Sequence, residues 1–127
     1  MKSVLIIDDN VDIVDSMVEG MDMFGIDVVG KAYDGLEGLE QFKKLNPDIV
    51  LLDIMMPDHD GFYLLDKIYG INPKAKVIVI SGDIKEDTRE KLATYELLGS
   101  FSKPIKFAEL SKVINSWIFF THSNYWA

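Results

Sequence analysis

Cysteine is absent from the chain. No disulfide, thiolate metal site or cysteine nucleophile can form, and the absence suits a reducing cytoplasm. Histidine is scarce, with only His59 and His122. A zinc-type ligand set is therefore unsupported. Long apolar runs are missing too. The opening Val4-Leu5-Ile6-Ile7 turns acidic at Asp8, too soon for a signal peptide or a membrane span. Positive charge is in deficit, with 13 basic residues against 21 acidic ones and a net charge of −8. Such a balance argues against a nucleic-acid-binding surface. These absences point to a cytoplasmic protein with neither a nucleic acid nor a membrane as partner.

What is present is an ordinary globular composition. Hydrophobic residues make up 48 % and charged residues 27 % of 127 residues, enough for one core and one domain. Short apolar, mostly β-branched runs recur at Val4–Ile7, Val28-Val29, Ile49–Leu52 and Val77–Ile80, with a weaker one at Ser100-Phe101-Ser102. Continuous runs of this length suit strands buried on both faces of a parallel sheet. Helical spacing fills the intervals. Val11, Val14, Met17, Val18, Met21 and Phe24 make one apolar face, and Leu36, Leu39, Phe42 and Leu45 a second. A third helix is predicted from about 60 to 71, before Pro73. A fourth is predicted from about 85 to 98, with Gly99 as its C-cap. Phe107, Leu110, Val113, Ile114 and Trp117 define the fifth.

Five β-α units predict an α/β three-layer sandwich, with a five-stranded parallel sheet, five helices and right-handed crossovers. The domain is expected over residues 1–118, followed by an aromatic tail over 119–127 and no effector domain. In such sheets, ligand sites form beyond the carboxyl ends of the strands. The ends here are rich in chemistry: Asp8-Asp9-Asn10, Asp53, Ser81-Gly82-Asp83 and Lys103-Pro104. Three converging carboxylates repel one another unless a hard divalent cation relieves them, and oxygen-only ligation suits Mg²⁺. A carboxylate can also attack phosphorus, giving an aspartyl phosphate. Catalysis is then mostly positioning and charge neutralisation.

These motifs resemble the receiver domains of two-component response regulators, which share the flavodoxin-like, CheY-like doubly wound fold. The resemblance rests on Asp8-Asp9, on Asp53-Ile-Met-Met-Pro57-Asp-His-Asp-Gly61, on Ser81-Gly82 and on Lys103-Pro104. It spans roughly residues 3 to 118. It implies that Asp53 is the phosphoacceptor, served by a histidine kinase or phosphotransfer protein. It implies Mg²⁺ or Mn²⁺ on Asp9 directly, on Asp8 partly through water, on Asp53, and on the backbone carbonyl of Met55. Ser81 would contact the phosphoryl group, and small Gly82 would leave room for it. Lys103 would pair with Asp53 before phosphorylation and with a phosphoryl oxygen afterwards. Pro104 would follow a cis peptide bond, and Pro57 and Gly61 would shape the loop after the acceptor. The domain would act as a switch rather than an enzyme, catalysing only its own phosphoryl transfer and slow autodephosphorylation. Its output would pass through the fourth helix, fifth strand and fifth helix to a partner protein. A monomer or weak homodimer is expected.

The chain departs from the family on the fifth strand. The family usually has Tyr or Phe three residues before the lysine, where Ser100 stands here; Phe101 lies one place later. A one-residue shift on a strand turns a side chain to the other face. Rival readings are weaker. A haloacid-dehalogenase-type phosphatase needs Asp-x-Asp on its first strand, and these aspartates are adjacent. A dinucleotide-binding domain needs a glycine-rich first turn, and Asp8-Asp9-Asn10-Val11 has none. A receiver-like docking module working without phosphorylation is the remaining alternative, against which the full set of site residues argues. Asp8 and Asp9 also have a plain structural reading, as N-caps of the first helix. His59 reads as an exposed loop residue.

Overall fold

The chain alternates strand and helix: β1 (Ser3–Ile7), α1 (Val11–Met23), β2 (Asp27–Ala32), α2 (Gly35–Leu45), β3 (Ile49–Asp53), α3 (Gly61–Ile71), β4 (Lys76–Ser81), α4 (Glu86–Leu92), β5 (Gly99–Ser102) and α5 (Phe107–Ser123). This computed structural model describes residues 2–56, 61–82 and 84–123, with side chains described as far as 116. All strands are parallel, in the order β2-β1-β3-β4-β5. The expected five-stranded doubly wound sandwich is what forms.

The apolar runs explain the layers. Successive side chains on a strand point to opposite faces, so β1, β3 and β4 each feed two cores. Leu5, Ile7, Leu52, Val77 and Val79 pack against Phe42 of α2, Leu64, Leu65 and Ile68 of α3, and Leu92 of α4. Val4, Ile6, Leu51, Ile78 and Ile80 pack on the other side against Val14, Met17 and Met21 of α1 and Leu110 and Ile114 of α5. Caps set the helix starts. The Asn10 side chain accepts from Ile13 N–H at 3.1 Å, and Asp34 accepts from Glu37 N–H at 2.8 Å. Asn46 closes α2 in the left-handed region, at φ 46°, just before Pro47.

Four boundaries differ from expectation. The fourth helix ends at Leu92, not near Leu98, and Gly99 opens β5 instead of capping a helix. The apolar residues that mimic a longer helix are buried by other means. Tyr95 turns onto α3, and Leu98 N–H already bonds the Val77 carbonyl at 2.8 Å in the sheet. β2 is longer than its two valines and is not buried on both faces. It is a sheet edge, where Asp27, Val29 and Lys31 are exposed. Val29 is looped out of register between the Val4–Val28 and Leu5–Gly30 pairs. Finally, α5 continues to Ser123, past the expected domain end at 118. The Trp117 side chain, and residues 124–127 of the expected tail, lie outside the described residues.

Candidate functional site

Three neighbouring strands deliver the site. Asp8 follows β1, Asp53 ends β3, and Ser81 ends β4. Parallel pairing aligns these ends, because Ile7 pairs with Leu52 and Asp53 with Ile80. Asp8 and Asp53 are buried at 1 % and 5 % relative exposure, while Asp9 is exposed. One carboxylate oxygen from each of the three lies within 4.8 Å of the other two.

The aspartates do not cap α1, since Asn10 does that. Asp8 Oδ1 instead accepts from Asn10 N–H at 2.9 Å, and Asp53 Oδ1 accepts from Met55 N–H at 3.0 Å. Each backbone bond orients its carboxylate and leaves Oδ2 facing the centre. Lys103 reaches into that centre from beyond β5. Its ammonium lies 3.2 Å from Asp53 Oδ2, within hydrogen-bonding geometry, and 2.8 Å from Asp8 Oδ2 as an ion pair. The contact with Asp53 was expected; the closer one with Asp8 was not. Nothing in strand-end spacing reveals how far a lysine stem reaches across two intervening strands.

The electrostatics follow from this packing. Burial is the main influence on Asp53 and pushes its carboxyl above the ordinary carboxylate value. The Met55 N–H lowers it, the Asp8 charge raises it, and Lys103 lowers it, with the net result upward. Burial pulls the Lys103 ammonium toward neutrality, but the Asp8 and Asp53 carboxylates outweigh burial and leave its pKa above the ordinary value.

The remaining expected residues divide. The Ser81 hydroxyl is fully buried with no hydrogen-bond partner, an orphaned donor at the edge of the site. Such a group is costly unless something binds it. Gly61 is required by close approach. A Cβ there would stand 2.5 Å from the Ile54 backbone, to whose carbonyl the Gly61 N–H donates at 3.2 Å. A Cβ on Gly82 would meet no atom within 4 Å, so packing against the described residues does not require glycine there. Met55 is exposed beside the site, and the Lys103–Pro104 peptide is cis. Pro57, His59 and Asp83 lie outside the described residues.

Phe101 does not reach the site. It packs in the α1 and α5 core near Gly99, whereas Ser81 shares its strand face with Val77 and Val79 on the opposite side of the sheet. Ser100 faces the α4 side, lining a cavity with Tyr95 and Leu97. Coupling of Ser81 through Phe101 is therefore ruled out by direct contact in this arrangement. The aromatic beside α4 is Tyr95, which comes from the connecting loop.

An all-oxygen set of three carboxylates suits a hard divalent cation. Asp9 is the solvent-exposed member of the three. Among the described residues no helix is long and apolar enough to cross a membrane.

Comparison with known proteins agrees with the geometry. The family model described as "Response regulator receiver domain" matches residues 4–115. Chemotaxis protein CheY of Treponema pallidum is 34 % identical over 113 residues, covering 87 % of this chain and 76 % of that protein. Chemotaxis protein CheY of Thermotoga maritima is 40 % identical over 80 residues, covering 63 % and 67 %. Among solved structures, a receiver domain protein from Clostridium thermocellum superposes with TM-score 0.87 at 27 % identity, covering 96 % of this chain and 98 % of that one. The CheX-CheY-BeF3-Mg complex from Borrelia burgdorferi matches with TM-score 0.84 at 31 % identity, covering 92 % and 89 %. The chain belongs to the response regulator receiver domains, the phosphorylation-dependent switches of two-component signalling, and is a signalling domain rather than a classical enzyme.

Proposed function

We propose that Asp53 is the phosphoacceptor of this switch and that Asp8, Asp9 and Asp53 hold Mg²⁺ or Mn²⁺ beside it, with the Met55 carbonyl as a further ligand. The observation that carries the reading is the Asp8–Asp53–Lys103 cluster, in which a buried carboxylate faces one ammonium at 3.2 Å. An Asp53 oxygen attacks phosphorus of a phosphohistidine. The new O–P bond forms as the P–N bond breaks, and the electron pair leaves with the imidazole nitrogen. Lys103 turns from Asp53 to a phosphoryl oxygen and neutralises part of its charge. The Ser81 hydroxyl donates to another. The cation, when bound, supplies further charge neutralisation at the phosphoryl oxygens.

The donor in this reading is a histidine kinase or a phosphotransfer protein in the cytoplasm, and the receiver of the signal is a partner protein. The same residues serve slow autodephosphorylation. The crystallised assembly of CheX with a magnesium- and beryllofluoride-loaded relative supports partner binding as the output.

The test uses acetyl phosphate and Mg²⁺, with intact-mass measurement and mapping of the modified residue. Wild type should gain one phosphoryl group on Asp53. Asp53→Asn should gain none, and excess EDTA should abolish labelling of wild type. Equal labelling of both proteins would overturn the assignment.

A further inference from the structure

α4 ends at Leu92, and a tight turn carries the chain to Tyr95. Thr94 N–H donates to the Lys91 carbonyl and Tyr95 N–H to the Leu92 carbonyl, each at 3.1 Å. These bonds fasten Tyr95 to the end of α4, so it travels with that helix. Its side chain, however, is engaged with α3. The hydroxyl donates to Asp66 Oδ1 at 2.6 Å, a short charge-assisted bond. The ring stacks 6.1 Å from both Phe62 and Tyr69, at interplanar angles of 29° and 20°. Tyr69 reinforces the join by donating its hydroxyl to the Glu96 carbonyl at 3.2 Å.

The join between α4 and β5 is loosely filled. A solvent-open cleft of about 340 Å³ lies there, lined by Ile84, Leu92, Tyr95, Leu97 and Ser100 among others. A driving group exists at the other end of the segment, namely the buried, unpartnered Ser81 hydroxyl. Only the short stretch 82–85 separates Ser81 from α4.

We propose that the Tyr95–Asp66 hydrogen bond is a latch. It holds α4 in the position seen here and opposes the shift that phosphoryl attachment at Asp53 produces. This inference rests on the functional reading above. A phosphoryl group that engages Ser81 draws the end of β4 inward, α4 follows, and Tyr95 is carried off Asp66. The bond exists in one state only, so it biases the equilibrium between the two. By linkage, removing it strengthens binding of whatever favours the other state.

The experiment titrates the full chain with beryllofluoride, as a phosphoryl mimic, at fixed Mg²⁺, and follows amide NMR shifts. Tyr95→Phe keeps the stacked ring and removes only the donor. It should lower the half-saturating concentration about fivefold, the worth of one ordinary hydrogen bond. Asp66→Ala should do the same, and the double variant should gain nothing further, because both remove one interaction. The melting temperature of Tyr95→Phe should fall by no more than a few degrees, because the same bond is lost from the resting fold. If wild type binds and Tyr95→Phe is unchanged or weaker, the latch is wrong. Fully additive effects in the double variant would also overturn it, by tracing them to separate causes. A wild type that ignores beryllofluoride would instead overturn the functional reading on which the latch depends.

Discussion

Asp53 is held against opposing influences. It has a lysine at 3.2 Å and a backbone donor at 3.0 Å, yet its carboxyl sits above the ordinary value because burial outweighs both and Asp8 adds like charge. The sign for stability follows. An acid whose pKa is higher in the fold binds protons more readily when folded. Ionised Asp53 therefore destabilises the fold above its folded pKa, and that cost is relieved as pH falls toward the ordinary 3.8. Lys103 acts oppositely. Its raised pKa contributes stability that is complete below the ordinary 10.5 and is lost as pH rises through the folded value. Asp53→Asn should thus melt at a higher temperature than wild type near neutral pH. The difference should shrink as pH falls through the raised folded value and vanish only below the ordinary 3.8, where the carboxyl is protonated in both states. Thermal melts across that range measure it. A variant less stable than wild type at neutral pH would show that the Lys103 pairing exceeds the burial cost.

Among the elements, the start of α3 is packed directly on the backbone that follows β3. Gly61 lies so close to Ile54 that an added Cβ would meet backbone atoms at 2.5 Å, and backbone cannot yield as a flexible side chain can. Gly61→Ala should cost about 1–3 kcal/mol, as overpacked sites do, read as a lower midpoint in urea unfolding. An unchanged midpoint would mean that the loop adjusts freely. Much of this organisation was legible beforehand. β1, β3 and β4 declared themselves by unbroken apolar runs because both their faces are covered, and Asp8, Asp53, Ser81 and Lys103 fell at strand ends that parallel pairing must align. α4 is shorter than the expected 85–98 because Tyr95 and Leu98, which extend its apolar pattern, are covered by α3 and the sheet. Periodicity records that a side chain is covered, not by what. β2 was underestimated because an edge strand needs few apolar residues. The Asp8–Lys103 pair was invisible for a different reason: it depends on strand order and side-chain reach, neither of which is a local property.

On the scale of the whole molecule, the question is where a change at Asp53 travels. Phosphorylation adds about −1.5 to −2 charge and three acceptor oxygens. On the β1 side the surroundings are fixed: Asp8 is buried and anchored to Asn10 N–H, and Asn10 caps the thirteen-residue α1. On the β4 side they are looser. Ser81 leads through exposed Gly82 into α4, a seven-residue helix whose N-cap, Lys85, makes no side-chain cap bond. Ser81 is also joined to the next strand, because Lys103 N–H donates to its carbonyl at 2.8 Å. The two groups placed to meet a phosphoryl group therefore share a backbone link, and a shift of one displaces the other. A rigid wall on one side and a short, weakly capped helix on the other send the response through α4, β5 and the start of α5. Amide hydrogen exchange with and without beryllofluoride and Mg²⁺ should accordingly change most within residues 82–106. Ser81→Ala should shrink those changes, since the hydroxyl is the contact that differs between the two states. Changes confined to α1 and α2 would show that the signal leaves by the opposite face, and the looseness of α4 would then have no part in it.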